Sequence, residues 1–239
     1  MNNILITICA RGGSKGIPKK NIKTVGEHPL IYYSIKIAQR FLENKKGTLV
    51  LSTDDDEIKE VGEKYGLFND YKRPLQLATD TAGKVDAIRD ILLYEENRTG
   101  VKFDLILDLD VTSPLRTLED LEEAFQLLRA DTNALNLFSV SPANRNPYFN
   151  MVEKKGKYFG KVKDDFKILS RQKAPEVYDM NASFYYYTRA FFEENYDSVF
   201  TDRSLIYEVP HICFDLDENI DFEFMNYLFN ENKLEFNIT

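Results

Sequence analysis

Short runs of apolar residues alternate along the chain with segments whose apolar residues recur every three to four positions. The first run, 3–10, places Ile4, Ile6 and Ile8 on one face of an extended chain and Leu5 on the other, which predicts a buried strand. Similar runs predict further strands at 48–53, 104–110, 134–141, 182–188 and 211–217. The helical period predicts helices at 30–41, 54–66, 85–97, 118–128 and 222–229.

Strands that alternate with helices are typical of an α/β fold in which helices cover both faces of a mostly parallel, twisted sheet. Such sheets bind ligands beyond the carboxyl ends of their strands. The stretch 142–175 interrupts the alternation, because it is polar, rich in lysine and aromatic residues, and favours a β-hairpin. We therefore expect a single domain over 1–239, with an inserted β-rich excursion at 142–175.

Composition narrows the class of protein. The chain has 239 residues, a formal net charge of -8 and 43% hydrophobic residues, which favours a packed core and disfavours nonspecific binding of nucleic acid. No apolar stretch approaches the roughly 20 residues of a membrane span, and no export signal is evident. Cys9 and Cys213 lack CxxC spacing and are expected to be free thiols. We expect a cytoplasmic protein with no membrane partner.

The loop after the first strand is unusually basic for an acidic chain. Glycines at 12, 13 and 16 allow its backbone N–H groups to approach a ligand closely. Its cations are Arg11, Lys15, Lys19, Lys20 and Lys23. This combination at a strand end predicts a site for a polyanion such as a phosphate chain, although a solvated surface run remains the alternative. Neither GxxxxGK[ST] nor GxGxxG spacing is present.

Two Asp-x-Asp pairs are candidate metal sites. They are Asp108-Leu109-Asp110 and Asp215-Leu216-Asp217. Residues two apart on a strand face the same side, so each pair can present two carboxylates at one place. Carboxylates together with substrate phosphates are the usual ligands of Mg²⁺. The alternative is that these acidic residues only flank strands or cap helices.

The motifs in their order along the chain resemble those of the CMP-sialic acid synthetases, the acylneuraminate cytidylyltransferase family. The resemblance covers almost the whole chain through the segments ARGGSKGIPKKNIK (10–23), RPLQLATDTA (73–82), TSPLR (112–116), RQ (171–172) and DLDENIDFE (215–223), with Asn181 and Tyr185 between the last two. It implies a Rossmann-like nucleotidyltransferase fold and a homodimer joined through the excursion. It also implies that CTP is joined to the anomeric hydroxyl of a nine-carbon 2-keto acid sugar, a nonulosonic acid, with release of pyrophosphate.

The resemblance also implies roles for individual residues. Arg11, Gly12, Ser14 and Lys20 would hold the triphosphate, Asn21 the ribose, and Arg73 with the backbone from Ala78 to Thr81 the cytosine. Asp215 and Asp217 would bind Mg²⁺, and with Arg11 and Lys20 they form the expected catalytic group. The sugar would contact Asp110, Ser113, Arg171, Asn181 and Tyr185. Arg171 and Lys173 are candidates for its carboxylate, with Arg171 expected to serve the neighbouring subunit's site.

The chain departs from the family pattern at two places beside the expected sugar pocket. Asp110-Val111 stands where many relatives have Gln-Pro, and a carboxylate accepts hydrogen bonds but cannot donate them. Ser198-Val199-Phe200 stands where sialic-acid-specific relatives have adjacent phenylalanines. We infer a substrate other than N-acetylneuraminate, such as a legionaminic-type sugar.

Two other functions remain open from the sequence. Asp108-Leu109-Asp110 resembles the metal motif of nucleotide-sugar-dependent glycosyltransferases, although the basic loop suits a whole triphosphate better. A catalytically silent nucleotide-binding protein is the other alternative. The retained Arg11, Lys20, Asp215 and Asp217 disfavour it.

Overall fold

The computed structural model describes residues 3–13, 16–164, 168 and 170–238. Its strands are β1 (Ile4–Cys9), β2 (Thr24–Val25), β3 (His28–Pro29), β4 (Gly47–Ser52), β5 (Leu105–Leu109), β6 (Asn136–Pro142), β7 (Val152–Lys155), β8 (Tyr158–Lys161), β9 (Tyr178–Thr188) and β10 (Ser204–Glu208). Its α-helices are α1 (Leu30–Leu42), α2 (Asp56–Lys64), α3 (Lys84–Thr99), α4 (Leu118–Ala130), α5 (Arg189–Glu193) and α6 (Asn219–Asn230).

A six-stranded sheet in the order β10-β6-β9-β5-β1-β4 forms the centre of the molecule. β1 pairs in parallel with β4 and β5, and β10 pairs in parallel with β6. β9 lies between the two parallel groups and is antiparallel to both of its neighbours. The prediction of an α/β fold with a mostly parallel sheet is therefore confirmed.

The two faces of the sheet are covered by different helices, as the alternation in β1 predicts. Ile4, Ile6 and Ile8 belong to the core cluster that includes residues of α1, α4 and α6. Leu5 belongs to the opposite cluster, which includes residues of α3 and α5. Because the side chains of β1 are buried on both sides, this strand is fixed between two packed layers, and its carboxyl end is a rigid base for the loop that follows.

Local signals in the sequence set the helix ends near the ligand-binding edge. Asp55 precedes α2 and accepts hydrogen bonds from the backbone N–H groups of Glu57 and Ile58. Thr117 and Asp120 form a reciprocal capping box at the start of α4. These caps satisfy N–H groups that have no partner within the helix, and they fix the residue at which each helix begins.

One strand prediction is wrong. Residues 211–217 contain no strand, and the last strand of the sheet is β10, which the sequence analysis did not predict. After β10, the N–H of Val209 still donates to the carbonyl of Val140, and Pro210, which has no N–H, follows. The chain then leaves the sheet, with Cys213 and Leu216 buried at a spacing of three instead of the alternation of a strand.

Strands β7 and β8 form a two-stranded antiparallel hairpin outside the main sheet. The aromatic rings of Tyr158 and Phe159 on this hairpin are 73% and 71% exposed. The division of the chain into one domain with a dimerisation excursion stays a prediction. Phe166, within the excursion, lies outside the described residues.

No helix in the described part of the chain is long and apolar enough to cross a membrane.

Candidate active site

A cleft of about 400 Å³ opens at the carboxyl ends of β1 and β5. This is the edge at which open α/β sheets bind ligands. Six of the residues predicted from the sequence line it: Arg11, Lys20, Asn21, Arg73, Asp110 and Asp217. The cleft is thus lined by residues from the loop after β1, the segment after β4, the end of β5 and the segment before α6.

The basic loop is anchored by its backbone, and two of its cationic side chains, Arg11 and Lys20, line the cleft. The N–H of Gly12 donates to Asp54 Oδ1 at 3.0 Å, and Asn21 Nδ2 donates to the carbonyl of Arg11 at 2.9 Å. The guanidinium of Arg11 reaches across to Asp80, with 2.7 Å between Nη1 and Oδ1. Both side chains of this ion pair are about one-third exposed, so the pair is weak enough to exchange for a stronger anion.

The basic loop also contacts the acidic segment at 215–217. Lys20 Nζ donates to the main-chain carbonyl of Leu216. A Cβ added to Gly16 would lie 2.5 Å from the carbonyl oxygen of Asp217, so only glycine allows this approach. Segments about two hundred residues apart in sequence therefore meet at one site.

The carboxylates of the acidic segment fit a divalent cation. Asp215 Oδ1 is buried and accepts no hydrogen bond from the described residues. Burial, together with the nearby Asp110 carboxylate, raises the pKa of Asp215 above its ordinary value. Asp217 lines the cleft itself. An orphaned buried oxygen beside an accessible carboxylate suits a hard cation that takes its other ligands from substrate phosphates. The described residues contain no cluster of three or more side chains that could hold a metal without such help.

Arg73, from the segment after β4, also lines the cleft. Its Nε donates to Ser52 Oγ at 2.8 Å and its Nη2 to the Ser52 carbonyl at 2.7 Å, so the guanidinium is fixed at the end of β4. Ala78 and Thr81, the predicted base readers, do not line the cleft. The residues between and beside them do so instead, namely Thr79, Asp80 and Ala82. The role of the 78–81 backbone stays a prediction.

Lys84, which the sequence analysis did not single out, lies between the two carboxylates of the first Asp-x-Asp pair. Its Nζ donates to Asp110 Oδ2 and lies 3.3 Å from Asp108 Oδ2. It also lies 4.6 Å from the centroid of the Tyr185 ring. Burial works against the charged ammonium, but the two carboxylates outweigh it and hold the pKa of Lys84 well above its ordinary value. In turn, Lys84 outweighs the burial of Asp110 and lowers the pKa of that carboxyl.

The pair at 108–110 is therefore not a free metal site. Asp108 is fully buried, and its Oδ1 accepts a hydrogen bond from the Thr7 hydroxyl at 2.7 Å. A buried carboxylate needs a cation or several donors, and Lys84 with Thr7 supplies both. The signal in the sequence for Lys84 is this need, because Asp108 and Asp110 alternate with apolar residues at the end of a buried strand.

The remaining predicted residues of the sugar site lie behind the cleft or away from it. Ser113 is buried and donates to the carbonyl of Phe214 at 3.1 Å. Asn181 is buried and donates to Ser141 Oγ at 3.0 Å. Tyr185 lies beneath Lys84, and burial raises its pKa to about 12. Arg171 lies at the base of the excursion and donates to the carbonyl of Asn144 at 2.6 Å. Ser14 lies outside the described residues.

Arg116 of the TSPLR segment holds the backbone at the end of the cleft near β5 in place. It is fully buried, and its guanidinium donates to the carbonyls of Ser113, Ser183 and Asp110. A planar group with five donors suits this convergence of carbonyls. Arg116 thus fixes the backbone on which Asp110 is placed without entering the cleft.

Comparison with known proteins identifies the family. A family model described as cytidylyltransferase matches residues 5–234, which is nearly the whole chain. The chain belongs to the cytidylyltransferase family. The family resemblance predicted from the sequence is confirmed, and so is the prediction of a cytidylyltransferase enzyme.

Individual relatives agree with this assignment. The chain is 40% identical over 235 residues to "CMP-N,N'-diacetyllegionaminic acid synthase" of Campylobacter jejuni, with 98% of each chain covered. It is 40% identical over 237 residues, with the same coverage, to "Post-translational flagellin modification protein B" of Campylobacter coli. Among solved structures, a CMP:2-keto-3-deoxy-manno-octonic acid synthetase complexed with CTP is similar, with a TM-score of 0.70, 17% identity and coverage of 96% of this chain and 99% of the other. At that identity, the structural similarity supports the fold alone.

Proposed function

We propose that the protein joins CTP to the anomeric hydroxyl of a nonulosonic acid and releases pyrophosphate. The hydroxyl oxygen forms a bond to the α-phosphorus, the bond from that phosphorus to the bridging oxygen of the β-phosphate breaks, and the hydroxyl proton is released. The observation that carries the proposal is the contact of the basic loop with the acidic segment, through Gly16 with Asp217 and Lys20 with Leu216. Phosphoryl transfer requires such positioning and charge stabilisation more than a nucleophilic side chain.

In this proposal the cations of the loop bind the triphosphate. Arg11 exchanges its partner Asp80 for phosphate oxygens, because an ion pair this exposed contributes little to stability. Lys20 is already directed to the segment at 215–217, so its ammonium lies close to the aspartates that would hold a metal ion. Asn21 and Arg73, both buried and lining the cleft, would contact the nucleoside.

Mg²⁺ fits Asp215 and Asp217, because a buried oxygen of Asp215 has no hydrogen-bond partner among the described residues. When bound, the ion would neutralise charge on the phosphates and orient the attacking hydroxyl. Lys20, whose ammonium donates to Leu216 between them, keeps the two aspartates in place.

The sugar is proposed to be of the legionaminic type. A relative named for CMP-N,N'-diacetyllegionaminic acid is 40% identical to the chain, whereas one from Streptococcus agalactiae named "N-acylneuraminate cytidylyltransferase" is 29% identical. This agrees with the acidic residue at position 110. The glycosyltransferase alternative is disfavoured, because Asp108, the first residue of its metal motif, is fully buried and already bonded to Thr7.

A cytoplasmic homodimer is part of the proposal. The exposed rings of Tyr158 and Phe159 on the hairpin suit a partner surface, and Arg171 lies at the base of the same excursion, outside the cleft of its own chain. The free thiols of Cys9 and Cys213 agree with a reducing compartment.

A pyrophosphate-release assay tests the proposed function. The purified protein is incubated with CTP and, in separate reactions, with legionaminic, pseudaminic and N-acetylneuraminic acids, each with and without Mg²⁺. We expect CTP-dependent release that requires Mg²⁺ and is fastest with the legionaminic acid. Absence of release with every sugar, from protein whose circular dichroism shows it to be folded, would contradict the proposal.

A further inference from the structure

The end of the cleft near β5 presents a cation to the ligand, although the residue predicted there is an aspartate. Asp110 uses both of its carboxylate oxygens within the protein. Oδ1 accepts from the Thr112 N–H at 3.0 Å and from the Thr112 hydroxyl at 2.9 Å, and Oδ2 accepts from Lys84. Asp110 therefore acts mainly on its neighbour, by fixing the position of the Lys84 ammonium.

The Lys84 ammonium has an N–H group that is available to a ligand. An ammonium carries three N–H groups, and among the described carboxylates Asp110 accepts a hydrogen bond from one of them, whereas Asp108 Oδ2, at 3.3 Å, pairs with the ammonium by charge alone. The Lys84 side chain lines the cleft and is 29% exposed, more than Asp110 at 17%. Lys84 is the first residue of α3, and its ammonium also lies over the Tyr185 ring. Lysine normally loses much rotamer freedom when it binds a ligand, but here the two carboxylates have already ordered it.

The charge of this group decides which ligand atom it suits. Lys84, Asp108 and Asp110 together carry one net negative charge, and the carboxylate of Asp215 is close enough to Asp110 for the charge on Asp110 to raise its pKa. A sugar carboxylate would be repelled from such a place. An uncharged oxygen would not be repelled, and a carbonyl, which only accepts, is the natural partner of an ammonium, which only donates.

We propose that Lys84, positioned by Asp108 and Asp110, donates a hydrogen bond to the carbonyl of an acylamido group of the sugar and so selects among nonulosonic acids. The inference rests on the proposed function and adds to it a residue and a chemical feature of the substrate. A sugar that has a hydroxyl in place of that acylamido group offers a weaker acceptor and is used less well.

The test compares the variants Lys84→Met and Lys84→Arg with a matched control, Lys45→Met. Lys45 also pairs with a carboxylate, that of Glu122, and also lies over an aromatic ring, that of Phe41 at 4.1 Å, but it lies outside the cleft. The measurements are kcat/KM for N,N'-diacetyllegionaminic acid and for N-acetylneuraminic acid at saturating CTP, the Kd of CTP without sugar by calorimetry, and the melting temperature.

For Lys84→Met we expect kcat/KM for the diacylated sugar to fall about tenfold to a hundredfold, the usual effect of losing a hydrogen bond to a charged group. The preference for this sugar over N-acetylneuraminic acid falls with it, while the Kd of CTP changes less than about twofold. Lys84→Arg keeps the charge and the melting temperature but still lowers the preference, because a planar guanidinium cannot take the same position. If Lys84→Met does not fold, Lys84→Arg carries the test. Lys45→Met leaves the preference unchanged.

Three results would overturn the inference. One is an equal loss of kcat/KM for both sugars, which indicates a purely structural role. Another is a loss of CTP affinity as large as the loss of turnover, which places Lys84 at the nucleotide. The third is an unchanged preference in both Lys84 variants. Absence of wild-type turnover with any sugar is a different outcome, since it contradicts the proposed function itself.

Discussion

Gly16 lies against the main-chain carbonyl of Asp217, so close that a Cβ on residue 16 would come within 2.5 Å of that oxygen. Real Cβ atoms do not approach backbone this closely, and a backbone carbonyl cannot rotate away as a side chain can. The contact fixes the distance between the loop after β1 and the segment that carries Asp215 and Asp217. The absence of a side chain at residue 16 thus allows the cations of the loop to lie close to the carboxylates of the acidic segment.

Substitution of Gly16 by alanine should push the two segments apart. We expect Gly16→Ala to lower kcat at least tenfold and to raise the Mg²⁺ concentration needed for half-maximal rate, because Asp217 is displaced. Gly13→Ala is the matched control, since an added Cβ there meets no described atom within 4 Å. Steady-state pyrophosphate release over a Mg²⁺ titration measures both quantities. Equal activity of the two variants would show that the contact does not position the site.

Removing a charge on either side of the cleft should lower turnover strongly. We expect Lys20→Ala and Asp215→Asn each to lower kcat by about 100- to 1,000-fold, the effect of losing about 2.7–4 kcal/mol of transition-state stabilisation. Lys23→Ala is the control, because Lys23 belongs to the same loop but its ammonium lies over the Phe222 ring at 4.0 Å. Near-wild-type kcat in either variant, measured by the same assay, would remove that residue from the catalytic group.

Asp110→Gln should change the preference among sugars. The glutamine keeps a hydrogen-bonding side chain but loses one of the two charges that hold Lys84, so the ammonium is less firmly fixed. We expect kcat/KM for the legionaminic acid to fall relative to that for N-acetylneuraminic acid. A competition assay with both sugars in one reaction measures the ratio of the two kcat/KM values directly. An unchanged ratio would show that Asp110 does not contribute to sugar selection.

The ion pair of His211 with Asp120 should make stability depend on pH. Burial disfavours the charged imidazole, but the hydrogen bond to Asp120 at 2.9 Å outweighs it and raises the pKa of His211 above 6.5. Burial likewise opposes ionisation of Asp120, and the bond to His211 outweighs it and lowers the pKa of that carboxyl. The folded state therefore holds a proton on His211 that the unfolded state releases, and stability is lost as pH rises from about 6.5 through the raised pKa.

Urea unfolding at a series of pH values between about 6 and 9 measures this effect. We expect the free energy of unfolding to fall with pH in the wild type and the slope to be smaller in His211→Gln. The chain has two histidines, so His28→Gln is the control for the loss of an imidazole elsewhere in the chain. An identical pH dependence in wild type and His211→Gln would show that the pair does not contribute.

The hairpin of β7 and β8 should provide the dimer contact. We expect Phe159→Lys to convert the protein to a monomer in sedimentation velocity experiments, because it places a charge in a buried apolar interface. Phe68→Lys is the matched control, since Phe68 is exposed to the same extent, 71%, on another part of the molecule. A dimer that persists in Phe159→Lys, or a wild-type monomer, would contradict the proposed assembly.

Most of the fold could be predicted because burial on both faces of β1 and β5 leaves a continuous apolar run in the sequence. The prediction of a strand at 211–217 was wrong for a physical reason. Its residues alternate as in a strand, but the edge beside β6 is already occupied by β10, and Pro210 ends the pairing. The chain then crosses near the end of β5, where the N–H of Leu216 donates to the carbonyl of Thr112, and this brings Asp217 to the cleft.

The site was predictable where its chemistry is local in sequence. The cations and glycines of the loop after β1 lie within thirteen residues, so their purpose could be inferred. Lys84 could not be found in this way, because its partner Asp110 is twenty-six positions away and the two meet only through the packing of α3 against the sheet. The exact residues that face the cleft near Arg73 depend on a short 3₁₀ turn at Leu75–Leu77, whose phase the sequence does not reveal.

A crystal structure of the protein with CTP and Mg²⁺ is the most direct test of the proposal that the basic loop and the acidic segment hold the nucleotide between them. We expect phosphate oxygens within hydrogen-bond distance of Arg11 and Lys20, with the metal bound by Asp215 and Asp217 and by the phosphates. A triphosphate bound outside this cleft, or a metal that contacts neither aspartate, would contradict it.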